Sequence, residues 1–221
     1  MKQSFAKWWR CAPAWLGFSV DAQGMTLVEW CPTGRAPASA TCWGQEKWPH
    51  GDAHPLGAWR DPAELGTEVL SLWQRSGMRC RRLAMGLPAD RVVQQTLQVD
   101  ADLPASEVRA QVNWSASQVL DLAWNDVAFD YRVENQGDAS LHPRESLTVN
   151  WLACPMALVQ AARQMSRTAR LQLQFLGVEP VHRLPLEERL GGAPVETPVV
   201  APELSPQFLL ACEMARQGAV A

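Results

Sequence analysis

The sequence predicts a mixed α/β protein, with antiparallel strands and helices interspersed. Three observations predict it. Residues 16–30 read as strand, tight turn, strand: apolar residues run into a short polar elbow, Asp21 to Gly24, and β-formers run out of it. Two longer segments repeat apolar residues at helical spacing, Leu65, Val69, Leu72 and Trp73 in one, Val108, Val112, Ser115 and Val119 in the other. Short runs of β-branched, aliphatic and aromatic residues recur between and after them, the pattern of a chain that alternates sheets with helices. With 221 residues, 47% of them hydrophobic, the chain is long enough for a substantial core and too apolar for disorder.

Taken in order, residues 15–20 and 25–31 form a hairpin, with a further short strand near 39–44. The stretch 45–59 is rich in Gly, Pro and His and reads as a loop. A helix then starts at Asp61-Pro62-Ala63-Glu64: Asp61 caps it, Pro62 suits the first turn, and Glu64 stands where a capping box places an acid. Gly77 ends it. Residues 83–87 read as a buried strand stopped by Pro88. Val93, Gln95, Leu97 and Val99 alternate with polar neighbours in a half-exposed strand. A helix covers 104–120, strands cover 127–133 and 147–153, a helix runs from Pro155 to about Thr168, and a strand covers 171–178. The last strand-helix-strand unit is a candidate right-handed crossover. Pro180, Pro185, Pro194, Pro198 and Pro202 mark a linker, and 205–217 form a final helix burying Phe208, Leu209, Cys212 and Ala215.

Composition excludes several function classes. The net charge of −3 gives no overall electrostatic case for nucleic acid or an anionic membrane; basic residues cluster only locally, at Arg79, Arg81 and Arg82, which read as the solvated start of a strand. The six cysteines, at 11, 31, 42, 80, 154 and 212, form no C-x-x-C pair, so a zinc or thioredoxin-like site is not expected, and their scatter suits free thiols in a reducing compartment. Lys2, Lys7 and Arg10 before an apolar stretch imitate a signal peptide, but Pro13 interrupts the stretch and it leads straight into a core strand. No run reaches the roughly 18 apolar residues of a membrane span. His50, His54, His142 and His182 all fall in loops, and no Ser or Cys nucleophile motif lies beside a base. Asp100 and Asp102 read as a turn between strand and helix rather than a catalytic dyad. No catalytic residue and no metal site is expected. Eleven tryptophans are unusual; Trp30, Trp73, Trp114 and Trp151 fall in periodic elements and read as core or half-buried fillers. Trp8 and Trp9 lie in an N-terminal arm suited either to a partner or membrane surface or to packing on the first sheet.

Four segments in order resemble the PilM family, the actin-like proteins of type IV pilus assembly: the elbow at 16–30; Leu83-Ala84-Met85-Gly86-Leu87-Pro88 with the strand and helix that follow; Ala128-Phe129-Asp130-Tyr131 with residues 149–180; and the C-terminal helix around residues 208–215. Each motif alone is weak; the order makes the resemblance specific. It implies a truncated actin-like, ribonuclease H-like lobe with an inserted small subdomain. The expected divisions are an arm at 1–14, a first subdomain at 15–82, the inserted subdomain at 83–178, a linker at 179–203 and a C-terminal helix at 204–221 returning to the first subdomain.

Departures from the family set the functional expectation. Family members usually carry Asp-x-Gly-Ser in the elbow; Ser19 stands where the Asp would be, Asp21 where the Gly would be, and Ala22 where the Ser would be. The Gly lets phosphate approach the backbone, and the Asp helps hold Mg²⁺ or its water shell. A carboxylate at Asp21 repels phosphate. Gly191-Gly192 is the remaining candidate for a phosphate turn, and it sits in the linker. The resemblance therefore implies a degenerate phosphate loop and a pseudo-ATPase, with neither ATP nor magnesium expected as cofactor. It also implies a cytoplasmic adaptor at the inner membrane, holding the short N-terminal peptide of a bitopic PilN-like protein in a groove between subdomains. The expected groove residues are Val93, Leu97 and Val99 on the strand and Val108 and Val112 on the helix. An ordinary core role for them stays open, as do a homodimer, a type II secretion adaptor like GspL, an atypical ATPase that still binds nucleotide, and a decayed protein kept for structure.

Overall fold

The computed structural model describes residues 14–20, 24–31, 39–47, 61–134, 146–178, 211–212 and 214–215. The elements, in chain order, are β1 (Trp15–Val20), β2 (Gly24–Cys31), β3 (Ser39–Lys47), α1 (Pro62–Arg75), β4 (Arg82–Leu87), β5 (Val93–Asp100), α2 (Ala105–Leu120), β6 (Val127–Glu134), β7 (Ser146–Pro155), α3 (Met156–Thr168) and β8 (Gln172–Val178). They form two compact units, 1–86 with 162–221, and 87–161.

The first unit is built on a five-stranded sheet in the order β3-β2-β1-β4-β8. The hairpin β1–β2 is antiparallel, pairing Leu16 with Glu29, Phe18 with Leu27 and Ser19 with Thr26, and β2 pairs antiparallel with β3. Strand β4 runs parallel to β1, with Leu16 opposite Leu83 and Phe18 opposite Met85. All six residues of β1, Ser19 included, are buried, as happens when both faces of a strand are covered. One face carries Leu16, Phe18, Leu27, Leu83 and Met85, each at most 1% exposed; burying a side chain of this size stabilises the fold by about 2 kcal/mol. Gly44, opposite Leu27, would place a Cβ against Leu72 and Ser76, so α1 lies over this face. The other face carries Trp15, Val28, Trp30 and Ala84, which pack with Ala211, Cys212, Met214 and Ala215 of a C-terminal helical segment.

Helix α1 follows from its sequence as expected. Asp61 Oδ1 accepts the backbone N–H of Ala63 and Glu64, both at 3.0 Å, and Leu65, Val69 and Leu72 face inward while Trp73 is half-buried. Gly77 adopts φ +68°, the left-handed conformation that ends a helix without a Cβ clash.

The second unit is a three-stranded antiparallel sheet, β5-β7-β6, with α2 on one face. Its core joins Val99, Val149, Trp151 and Ala153 of the strands with Val108, Val112 and Ala116 of the helix. The other face is polar: Thr96 Oγ1 donates to Asn150 Oδ1 at 2.9 Å, Asn150 Nδ2 donates to Glu134 Oε1 at 2.5 Å, and Gln98 Nε2 donates to Thr148 Oγ1 at 3.0 Å. Such cross-strand pairs fix register on a solvated face.

Three expectations change. The division at 83 and 178 assigned β4 and β8 to the inserted subdomain; both strands are in the first sheet, and the units divide at 86/87 and 161/162. For the same reason β7-α3-β8 is not a crossover within one sheet, since β7 and β8 belong to different sheets. Trp114 is 60% exposed rather than a filler, and Val119 is 44% exposed. The buried stripe of α2 is turned toward Asn113, Ala116 and Ser117 instead. Of the loop expected at 45–59, residues 45–47 belong to β3; the rest of it, the whole linker, Phe208 and Leu209 of the final helix and the arm with Trp8 and Trp9 lie outside the described residues, and so do all four histidines and Gly191-Gly192.

Candidate functional site

The elbow between β1 and β2 is framed by Ser19 and Val20 on one side and Gly24, Met25 and Thr26 on the other. Asp21 and Ala22 lie outside the described residues. Ser19 and Thr26 face each other across the antiparallel pair, 2% and 0% exposed. The Ser19 hydroxyl is buried without a hydrogen-bond partner among the described residues. Gly24 leaves no room for a side chain: a Cβ there would stand 2.1 Å from the Glu46 carbonyl oxygen on β3. This glycine serves the packing of β2 on β3.

The described residues of the elbow carry no carboxylate that could hold magnesium, and Asp21, which carries one, lies outside them. Magnesium sites in phosphate enzymes use one or two carboxylates together with water and substrate oxygens. Ser19 offers one neutral hydroxyl, closed off from solvent. Among the described residues no group of three or more His, Cys, Asp and Glu side chains is placed to hold a metal ion.

Cys42, Cys80 and Cys154 are not in disulfides. Burial pushes Cys42, Cys80 and Cys154 up from the ordinary thiol range, and the Glu29 carboxylate adds to the rise at Cys42 and Cys80. A thiol held protonated is a poor nucleophile. Cys42 Sγ and Cys80 Sγ instead donate to the carbonyls of Ser76 and Ala14, at 2.7 and 2.9 Å. Asp100 and Asp102 form the turn into α2, with the Asp102 N–H donating to Asp100 Oδ1 at 3.2 Å.

The five expected groove residues come together on one side of the second unit. Val99, Val108 and Val112 are buried in its core, and Val93 and Leu97 are half-buried against it. The reason is the register: Leu97 lies opposite Val149 and Val93 opposite Ala153, so both share the helix-covered face. They stand on β5, an edge strand, where a row of backbone groups faces away from β7. Neighbouring Gln94, Gln95, Thr96 and Gln98 are exposed. Trp114, expected as a core or half-buried filler, and Trp124, which the sequence did not single out, are 60% and 49% exposed. The only signal available was their polar flanks, Asn113 with Ser115 and Asn125 with Asp126.

The family model for the type IV pilus assembly protein PilM matches residues 56–183, more than half of the chain. Among solved structures, the chain is similar to one from the PilM–PilN type IV pilus biogenesis complex, at 22% identity and a TM-score of 0.60, covering 77% of this chain and 48% of that one. It is also similar to the cytoplasmic domain of EpsL, an inner membrane component of the type II secretion system of Vibrio cholerae, at 11% identity and a TM-score of 0.47, covering 75% of this chain and 57% of that one. No curated protein matches. The chain spans about half the length of the first of these structures.

Proposed function

We propose, from the premise that the chain belongs to the PilM family of type IV pilus assembly proteins, that it is a binding protein of pilus assembly which holds an extended peptide and does not hydrolyse ATP. Its mixed α/β fold is like the actin-like one of PilM. The peptide is the short N-terminal segment of a bitopic, PilN-like inner-membrane protein, and the chain works on the cytoplasmic side of that membrane. No described helix of the chain is long and apolar enough to cross a membrane.

The observation that carries the reading is the family match over 56–183, which contains the whole second unit. The edge strand β5 of that unit suits the task. Backbone groups along an edge supply affinity for an extended peptide, and alternate side chains supply selectivity. Val93 and Leu97 are the half-buried apolar positions of that strand, while Val99, Val108 and Val112 lie beneath and hold it in place.

The reading without hydrolysis rests on Ser19. A phosphoryl-transfer site stabilises charge with a metal ion held by carboxylates and with donors on several sides. A single buried hydroxyl supplies neither.

The test is fluorescence anisotropy of a labelled peptide from the N-terminus of the PilN-like protein. The Leu97→Asp variant is expected to weaken binding tenfold or more, since a carboxylate at a half-buried position costs at least ~1.4 kcal/mol. Leu97→Met retains volume and apolarity and is expected to bind like the parent. Thermal melting separates lost binding from lost fold. A folded Leu97→Asp variant with undiminished affinity rules out β5 as the peptide-holding edge. In the same melting assay, magnesium and ATP are expected to leave the midpoint unchanged; a rise that grows with nucleotide concentration would mean nucleotide binding survives.

A further inference from the structure

At one end of the five-stranded sheet, arginines are segregated from carboxylates. Strands β4 and β8 begin side by side there, with the Gln172 N–H donating to the Arg81 carbonyl at 2.7 Å. Arg81 Nη1 donates to the Arg170 carbonyl at 3.4 Å, and the Arg170 N–H donates to the Arg167 carbonyl at 3.0 Å. Arg79, Arg81, Arg167 and Arg170 are exposed, and Arg82 is half-buried. The chain around them is free of acid: neither 69–89 nor 146–178 contains an Asp or Glu. Among the described residues, a carboxylate that reaches this end is Glu29, whose Oε2 accepts the backbone N–H groups of Arg79 and Cys80 at 2.8 and 3.0 Å. Among the described residues, none of the five arginines is ion-paired.

Neutralising helix ends explains only part of this set. Cations are favoured in the last turn of a helix, which accounts for Arg167 in α3 and for Arg75 in α1, and Arg75 is already paired with Glu46. Arg79, Arg81, Arg82 and Arg170 lie beyond those turns. Two of them are braced by tryptophans: the Arg81 guanidinium lies 5.1 Å from the Trp73 ring centre and that of Arg82 lies 4.2 Å from the Trp15 ring centre. Stacking of this kind holds the guanidinium plane; Arg82 Nε donates to Gln174 Oε1 at 2.6 Å and Arg81 uses one Nη1–H on the Arg170 carbonyl, so each guanidinium keeps further N–H donors that can meet phosphate oxygens.

The N-terminal segment ends in sequence at Ala14, whose carbonyl lies at the same end and accepts from Cys80 Sγ at 2.9 Å. Its sequence, residues 1–13, carries Lys2, Lys7 and Arg10, no acid, and the aromatic residues Phe5, Trp8 and Trp9. Basic side chains mixed with tryptophan are the composition of chains that lie at a lipid–water interface. A net charge of −3 does not oppose this, since a bilayer surface senses charge within a Debye length of roughly 8–10 Å and not the sum over the molecule.

We propose that this arginine-lined end of the first unit is a docking surface for an anionic lipid bilayer, reading its phosphodiester headgroups. The surface is distinct from β5, so it stands or falls apart from the peptide reading.

The test is flotation of the full chain with vesicles of equimolar phosphatidylglycerol and phosphatidylethanolamine, against vesicles of phosphatidylcholine alone. Binding is expected only to the anionic vesicles and is expected to fall as sodium chloride is raised. The combined variant Arg79→Gln, Arg81→Gln, Arg170→Gln is expected to reduce partitioning tenfold or more, at about fivefold per charge lost. The variant Arg79→Gln, Arg170→Gln leaves both tryptophan stacks in place and is expected to retain the parental melting midpoint while still losing most of the binding. Either folded variant floating like the parent overturns the proposal. So does a parent that ignores anionic vesicles, or one whose arginines capture an oligonucleotide or an acidic peptide instead.

Discussion

At Gly17 the sheet has no room for a methyl group. A Cβ there would stand 1.6 Å from the Ala211 carbonyl oxygen and 2.9 Å from the Ala215 nitrogen. Both obstacles are backbone atoms of the C-terminal helical segment, so no side chain can turn aside to make space. Gly17→Ala is therefore expected to cost about 3 kcal/mol or more, the upper part of what overpacked cores lose, read as a lower midpoint in urea unfolding. The opposite sign is expected two residues on. Ser19 buries a hydroxyl without a partner among the described residues, and a group in that state costs about 1–3 kcal/mol. Ser19→Ala removes the hydroxyl at almost constant volume and is expected to stabilise the fold by about 1 kcal/mol in the same experiment. A loss of stability would mean that the hydroxyl is satisfied in solution. Neither property was legible in the sequence. Gly17 reads there as one apolar residue of a strand, because the clash comes from a helix nearly two hundred positions away in the chain. Ser19 did stand out, as the occupant of a position where PilM relatives usually carry a carboxylate, but its isolation is a property of the packed sheet.

Single elements were far more legible. The polar elbow, the capping residues Asp61 and Pro62, the alternation through Val93 to Val99 and the apolar faces of the helices are local signals. Each is set by the two periodicities of the backbone, and each element formed within a few residues of its expected ends. The failures come from interactions that a local pattern does not contain. Strand β8 reads as a strand wherever it pairs, so its place beside β4 was hidden. Val119 continues the apolar spacing of α2, yet the helix turns its buried side toward Asn113 and Ser117. Helix α1 carries a testable electrostatic consequence. Desolvation, then Glu64 one turn earlier, then Glu46 on β3 push the Glu68 carboxyl above the usual carboxylate range. A carboxyl raised in the folded state favours folding when protonated, so its contribution is fully present below the unfolded pKa and is lost as pH rises through the folded one. Glu68→Gln is expected to raise the melting midpoint at neutral pH, with the gain shrinking as pH is lowered through the carboxylate range. A gain that stays constant with pH would place its origin in helix propensity rather than in charge.

On the scale of the whole chain, the two units divide inside regular elements. The boundary at 86/87 falls within β4 and that at 161/162 within α3. An element shared by two units ties their local stabilities together, because unfolding one end of a strand or helix removes support from the other. The second unit is then unsuited to excision, and its role in peptide binding is better read in the intact chain by hydrogen exchange. If an extended peptide pairs with β5, the amides of 93–100 gain protection, because edge groups that exchanged with water become bonded to the added strand. The opposite edge strand, β6, and the elbow between β1 and β2 have no part in that pairing and are expected to keep their exchange rates. Magnesium and ATP are expected to change neither region. Protection confined to the elbow on adding nucleotide would restore the ATPase reading. Protection by the peptide at β6 in place of β5 would move the binding edge to the other side of the three-stranded sheet, where Phe129, Tyr131 and Val133 are the half-buried apolar positions and Asp130, Arg132 and Glu134 stand exposed on the opposite face. The two edges share an apolar face and differ on the exposed one, which is charged on β6 and carries neutral Gln94, Thr96 and Gln98 on β5, and the exchange map distinguishes them without altering a residue.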